Sequence, residues 1–250
     1  MLTADNQSRR TFLAPRTPIA YAFSGLLLSG AALLAHADEQ AIAARDAQNK
    51  RWSQQMIEQP KHQPPALDAK YNHIITFGQS LASAAEGWPA LSKKPGYDNL
   101  MLGDATRSAT FSGDRFVPVG GAAFKPLQAV VQLKRDPKVL LDAEAVAQLE
   151  AQAQEEGESV EVGALNMARR LYLDSKGIKA DPEHLLVASN AATSGRSIAQ
   201  LSKVGGTHEY KRVLQAVDQA RQVAQADDAS YTLSALFWLQ GEYDYARTAR

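Results

Sequence analysis

"NHIITFGQS", residues 72–80, reads as a short buried strand that ends at Gly78 and delivers Gln79 and Ser80 to its exit. Ile74, Ile75 and Thr76 are β-branched, and a run this short with a glycine stop is the pattern of a core strand. A second stretch, "SALFWLQGEYDY" (234–245), repeats the design: an apolar run, then the polar turn Gln240-Gly241-Glu242. Between them "HLLVASNAATSG" (184–195) reads as another strand, after the Asp181-Pro182 break. Its exit runs from Ser189 to Gly195.

The segments between these strands carry helical period. Residues 143–177 are mostly helical, split by the acidic run Glu155, Glu156 and Glu158, whose default reading is a solvated turn. In the second half, Val162, Leu165, Met167, Ala168, Leu171 and Tyr172 fall near one face, and Gly177 is the expected stop. A short helix begins near "SIAQLSK" (197–203). Residues 207–228 form an amphipathic helix with Thr207 as its expected N-cap and Tyr210, Val213, Leu214, Val217, Ala220, Val223 and Ala224 on its stripe. "NLMLG" (99–103) is a second short apolar element, and 104–127, rich in Gly, Ser and Pro, reads as an irregular loop.

Strands alternating with helices imply βαβ units and a mainly parallel sheet. Working residues then collect at the carboxyl edge. Three polar turns meet that description: Gly78-Gln79-Ser80, Ser189 to Gly195, and Gln240-Gly241-Glu242. A serine hydroxyl beside backbone N–H donors and a Gln amide is the set that stabilises an oxyanion in acyl transfer.

At these residues a family resemblance enters. "FGQS" with "WLQGEYD" resembles the sialate O-acetylesterase-like branch of the SGNH (GDSL-type) hydrolases, and "SNAATSGRSIAQL" resembles that family's central glycine block. The resemblance covers about residues 72–245. It implies an α/β, three-layer α/β/α flavodoxin-like fold with a mainly parallel sheet. It also implies hydrolysis of esters, often O-acetyl groups on carbohydrate. By that resemblance Ser80 is the nucleophile. The Ser80 N–H, the Gly195 N–H and the Gln240 side chain form the oxyanion hole, and Glu242 is a supporting carboxylate. The expected partner is an acetylated saccharide or another small ester, with no cofactor.

The departures are as informative. The family's base is a His in a D-x-x-H block after the QGE strand. The five histidines here, His36, His62, His73, His184 and His208, all precede it. A serine without a base is a poor nucleophile at neutral pH. The expectation is an incomplete copy of a longer hydrolase whose base lies beyond residue 250. A non-catalytic carbohydrate- or envelope-binding protein on the same fold is the alternative.

The bland readings stay beside these. Ser80 is also a good helix cap, Gly195 a turn glycine, and Gln240 and Glu242 turn residues that satisfy backbone groups. Arg196 holds either an anionic substrate group or a solvent-facing position. Trp238 reads as core rather than as a sugar-stacking surface, because it lies within an apolar run.

The chain ahead of residue 71 reads as address and lead-in. Arg9 and Arg10 precede the mildly apolar segment 18–37, which ends in Ala35-His36-Ala37. This resembles a twin-arginine signal peptide over residues 1–37, with an uncleaved anchor as the alternative. It predicts a periplasmic or secreted protein that meets the twin-arginine export machinery and touches a membrane only through this segment. Residues 38–70 read as a polar helix and a Pro-rich lead-in, and 71–250 as the hydrolase-like domain.

Composition narrows the rest. Lys+Arg and Asp+Glu are both 27, so no net field draws the chain to nucleic acid. There is no cysteine, which excludes disulfides, thiolate nucleophiles and Cys-based metal sites. No His/Asp/Glu cluster has metal-ligand spacing.

Overall fold

The structure, a computed structural model, describes residues 67–85, 87, 89–149, 155–204 and 206–248, with backbone only for 246–248. It also describes positions 40, 43, 44, 47, 48, 50, 51 and 54, all helical and exposed. The expected signal segment, and most of the Pro-rich lead-in, lie outside the described residues. The chain divides into a unit up to Pro64 and a compact unit from Pro65 onward. Every described strand lies in the second unit.

β1 (Tyr71–Gly78) is buried at every position. It runs parallel to β6 (Leu185–Asn190) on one side and to β7 (Tyr231–Leu239) on the other. β6 in turn pairs in parallel with β2 (Leu100–Leu102), and β3 (Phe124–Pro126) closes that edge antiparallel to β2. The sheet order is therefore β3-β2-β6-β1-β7. β4 (Val131–Gln132) and β5 (Leu140–Leu141) form a separate two-stranded ribbon.

The helices are α1 (Ala143–Ala147), α2 (Val160–Lys176), α3 (Ile198–Leu201), α4 (Lys211–Ala226) and α5 (Glu242–Thr248). α2 lies in the crossover from β1 to β6, and α4 in that from β6 to β7. Alternation along β1 assigns them to opposite faces. Ile74 packs with Leu186, Ala188, Val162 and Leu165, on the α2 side. Ile75 and Phe77 pack with Leu102, Ala216 and Ala220, on the α4 side. The fold is thus mixed α/β around a mostly parallel sheet. Strands buried on both faces need continuous apolar runs, which is why β1 and β6 show so little polar alternation.

The helices differ from the periodic reading in detail, and the reason is buried polarity. α2 buries Glu161, Val162, Leu165, Arg169 and Leu173, while Met167 and Leu171 are exposed. Arg169 takes an inner position because Asp98 and two carbonyls satisfy its guanidinium. Gly177, at φ +67°, ends this helix in the left-handed region as expected. α4 buries Arg212, Ala216, Ala220 and Ala224, a spacing of four that brings the helix close to the sheet through small residues. Leu214 faces out. Thr207 is not its cap: the helix starts after Tyr210, and Thr207 Oγ1 donates to Gln200 O.

Two loop readings are also corrected. The irregular stretch 104–127 contains β3, because the Leu100–Leu102 edge needs a partner for its backbone groups. The acidic run is not a solvated turn. Glu156 is buried 3.9 Å from Arg107, Glu158 accepts from Leu91 N, Ser92 N and Ser92 Oγ, and Glu155 accepts from Lys134 N. Glu155 and Glu158 close loops by accepting orphan N–H groups.

Candidate functional site

The three polar turns lie at one edge of the sheet because β1, β6 and β7 run in the same direction. Backbone bonds draw them together. Gln79 N donates to Leu239 O at 3.1 Å, and Thr193 N donates to Gly78 O at 3.0 Å. Gly78 is required by this approach: a Cβ there would sit 1.8 Å from Leu239 O. The strand order also reverses at β1: the chain leaves β1 for the β2 and β6 side, and then crosses from β6 past β1 to β7 on the other side. Crevices for ligands form at such points in open α/β sheets.

Ser80 opens a run of turns rather than an α-helix, with Ser83 N on Gln79 O at 2.9 Å and Ala85 N on Ser80 O at 3.1 Å. It is half-buried, and its Oγ donates to Gln79 Oε1 at 2.6 Å. Among the described residues no acceptor takes the Ser80 N–H or the Gly195 N–H. Gly195 has φ +69° and open space where a Cβ would stand. A hydroxyl and free N–H groups brought to one edge have the chemistry needed to bind a developing oxyanion.

Gln240 reaches the same place differently. Its Nε2 donates to Arg196 O at 2.8 Å, and its Oε1 accepts from Gly241 N. The amide thus ties the β7 exit to the residue after Gly195, and one Nε2 hydrogen remains for a ligand. Glu242 follows the same strand exit, two residues after Gln240. It is exposed at the first position of α5 and hydrogen-bonds none of the described residues. Its neighbour Asp244 is the inward carboxylate: Oδ2 accepts from Ile198 N at 2.9 Å, clamping α5 onto the start of α3.

No described histidine hydrogen-bonds Ser80. His73 is fully buried in the middle of β1, bridged between Tyr231 Oη and Ser189 Oγ at 2.8 Å each, and burial pushes its pKa down to about 3. His184 pairs with Asp181 at 2.9 Å, and His208 is exposed with φ +59°. His36 and His62 lie outside the described residues.

Beneath the turns lies a polar layer that periodicity alone does not reveal. Glu161 is completely buried. It accepts from Thr76 Oγ1 at 2.8 Å, from Ser159 Oγ, and from Asn190 Nδ2 at 3.2 and 3.3 Å. Asn190 also donates to Ala82 O at 2.6 Å and accepts from Ala192 N at 3.0 Å. One carboxylate therefore joins β1, the end of β6 and, through Asn190, the segment after Ser80. Arg196, after Gly195, points its Nε at both oxygens of the buried Glu209, 2.8 and 2.9 Å away. The available signal was the Ser-x-Glu start of α2, since a serine there is a common helix cap. Two buried polar atoms remain without partners beside the turns, Gln79 Nε2 and Thr193 Oγ1, as groups awaiting a ligand or water would.

Among the described residues no group of three or more His, Asp or Glu could hold a metal ion, and no helix is long and apolar enough to cross a membrane. In comparisons with known proteins, the chain matches no family model, no curated protein and no solved structure.

Proposed function

We propose that this chain is an exported serine ester hydrolase of the SGNH type, acting on O-acetyl or similar esters of carbohydrate. The observation that carries the reading is that the exits of β1, β6 and β7 meet at one sheet edge, with Ser80 at the first and Gly195 and Gln240 at the others. The three long strands lie in the order β6-β1-β7, the central pattern of a flavodoxin-like sheet.

In this reading Ser80 Oγ attacks the ester carbonyl carbon, and the tetrahedral oxyanion is held by the Ser80 and Gly195 N–H groups and the spare Gln240 N–H. The alcohol leaves, and water then releases the acid from Ser80. The base is a histidine that follows the QGE strand in the family the motifs resemble. In this structure Ser80 Oγ keeps its proton and donates it to the Gln79 amide oxygen, which accepts a hydrogen bond but is no base. That resting arrangement favours a second reading, saccharide binding without turnover. A fluorophosphonate probe separates the two when applied to the full-length gene product. A covalent adduct mapped to Ser80 is expected, and a protein that binds saccharide yet stays unlabelled supports the second reading.

A further inference from the structure

The buried carboxylate of Glu161 takes no part in the proposed chemistry, yet its contacts lead to the turns that carry it. A carboxylate only accepts hydrogen bonds, and its two oxygens offer about four lone-pair sites. Glu161 spends them on three segments. Oε2 accepts from Thr76 Oγ1 of β1 at 2.8 Å, and Oε1 accepts from Ser159 Oγ ahead of α2. Both oxygens face Asn190 Nδ2 at the end of β6, at 3.2 and 3.3 Å. A glutamine here would turn an N–H toward one of those donors.

Asn190 passes this anchoring on. Its Nδ2 also donates to Ala82 O at 2.6 Å, and its Oδ1 accepts from Ala192 N at 3.0 Å. The carboxylate fixes which way this amide points. Turned over, Oδ1 would meet the Glu161 oxygens and Nδ2 would meet the Ala192 N–H, two mismatches at once.

The segment after Ser80 needs such a holder. Residues 81–85 are turns, without the ladder of an α-helix. Ala82 is completely buried, and among the described residues Asn190 is the donor to its carbonyl. An unpaired carbonyl there would be costly. Ala82 lies two residues after Ser80, and Ala192 three residues before Gly195. The Ser80 and Gly195 N–H groups are two arms of the proposed oxyanion hole. One amide therefore grips both sides of the hole, and Glu161 holds the amide.

We infer that Glu161 is a positioning residue for the Ser80 centre, holding the Ser80 and Gly195 turns in register through Asn190. Its effect on turnover rests on the hydrolase reading; its hold on the two turns does not.

The test is Glu161→Gln in the full-length gene product, read by amide hydrogen exchange and by ester kinetics. Exchange is expected to quicken about tenfold or more in peptides covering 79–85 and 191–195, the worth of one charge-assisted hydrogen bond. Ser83 N, Ala85 N, Ala192 N and Thr193 N are the bonded reporters there. Exchange at β2 and β3 should stay as in the wild type. On esters kcat should fall about ten- to a hundredfold with KM little changed, because misplaced groups act on the transition state. Leu165→Ala, which empties a core position of the same helix, is the control: it should lower the melting temperature and leave kcat alone. Exchange that rises equally throughout, or kcat as in the wild type, overturns the positioning role.

Asn190→Ser is too short to bridge Glu161 and Ala82 and should give the same local pattern. The double variant should lose no more than either single one. Full additivity, or failure of both single variants to fold, makes the pair a stability element and overturns the role. A wild type that cleaves no ester, with Glu161→Gln loosening only the two turns, overturns the hydrolase reading and leaves the hold on the turns standing. Ester cleavage with both turns unmoved in Glu161→Gln overturns only the positioning role.

Discussion

β6 and β7 flank β1 on its two sides, run in the same direction, and are each tied to the β1 exit, by Thr193 N on Gly78 O and by Gln79 N on Leu239 O. Yet they are built differently. β6 is buried from Leu186 to Asn190 and has β2 beyond it. β7 has no buried residue and, among the described strands, lies at the edge of the sheet. Leu233, Leu236 and Trp238 are 45%, 49% and 45% exposed there. Trp238 is therefore not a core residue, contrary to the reading of its apolar run; it lies at the edge against Phe77, with ring centroids 5.4 Å apart. The comparison separates two things that a run of apolar residues confounds. Hydrophobicity says that a segment is a strand, whereas burial depends on how many neighbours the topology supplies.

The contrast sets the first prediction. Val187 is completely buried between β1 and β2. Val187→Asp should cost at least about 4 kcal/mol in urea unfolding, or prevent folding, because it buries an unpaired charge. The same change on the open strand, Leu236→Asp, should stay within about 1 kcal/mol. Equal costs would mean that β7 is covered in solution.

A somewhat smaller effect is expected where β1 meets β7. Gly78→Ala puts a methyl group into Leu239 O and must separate the two turns. About 3 kcal/mol is expected from forced repacking, together with loss of any activity that needs Gln240 near Ser80. A variant of native stability would show that the close approach is absent.

The third prediction concerns pH and the β6 side, where His73 bonds Ser189. Its folded pKa is lowered to about 3 by burial, against about 6.5 unfolded. Its contribution is fully present above the unfolded value and is lost progressively as pH falls toward the folded one. Between pH 7 and 5 the unfolded chain takes up the proton and the folded one does not. This costs about 2 kcal/mol of stability, readable as a shift in urea midpoint. A His73→Gln variant should lose that dependence, and an unchanged slope would assign it to another group.

Strand positions and their exits were legible in the sequence because each couples a short apolar run to a glycine or polar turn. Tyr71–Gly78, Leu185–Asn190 and Tyr231–Leu239 follow the expected segments closely. The parallel sheet followed from the helices between them. The buried charges were not legible. Glu161, Arg107, Arg169 and Arg212 lie inward, each satisfied by partners far along the chain, such as Thr76 for Glu161 and Asp98 for Arg169. Hydrophobic period treats every charge as surface, so it exposed Arg169 and buried Met167. Of the candidate site, Ser80, Gly195 and Gln240 come to one edge, while Glu242 turns to solvent and Asp244 holds the inward contact. Glu242 was named by the resemblance of the QGE motif alone, which carries no information on which acid of this short helix faces α3.

In the proposed hydrolase Ser80, at the meeting of the three strand exits, is the nucleophile. Acetate release from an acetylated saccharide by the full-length gene product, with Ser80→Ala beside the wild type, tests it most directly. The expected result is turnover by the wild type and loss of at least about a thousandfold in the variant, since removal of a nucleophile leaves only oxyanion stabilisation and binding. Turnover unchanged in Ser80→Ala would contradict it.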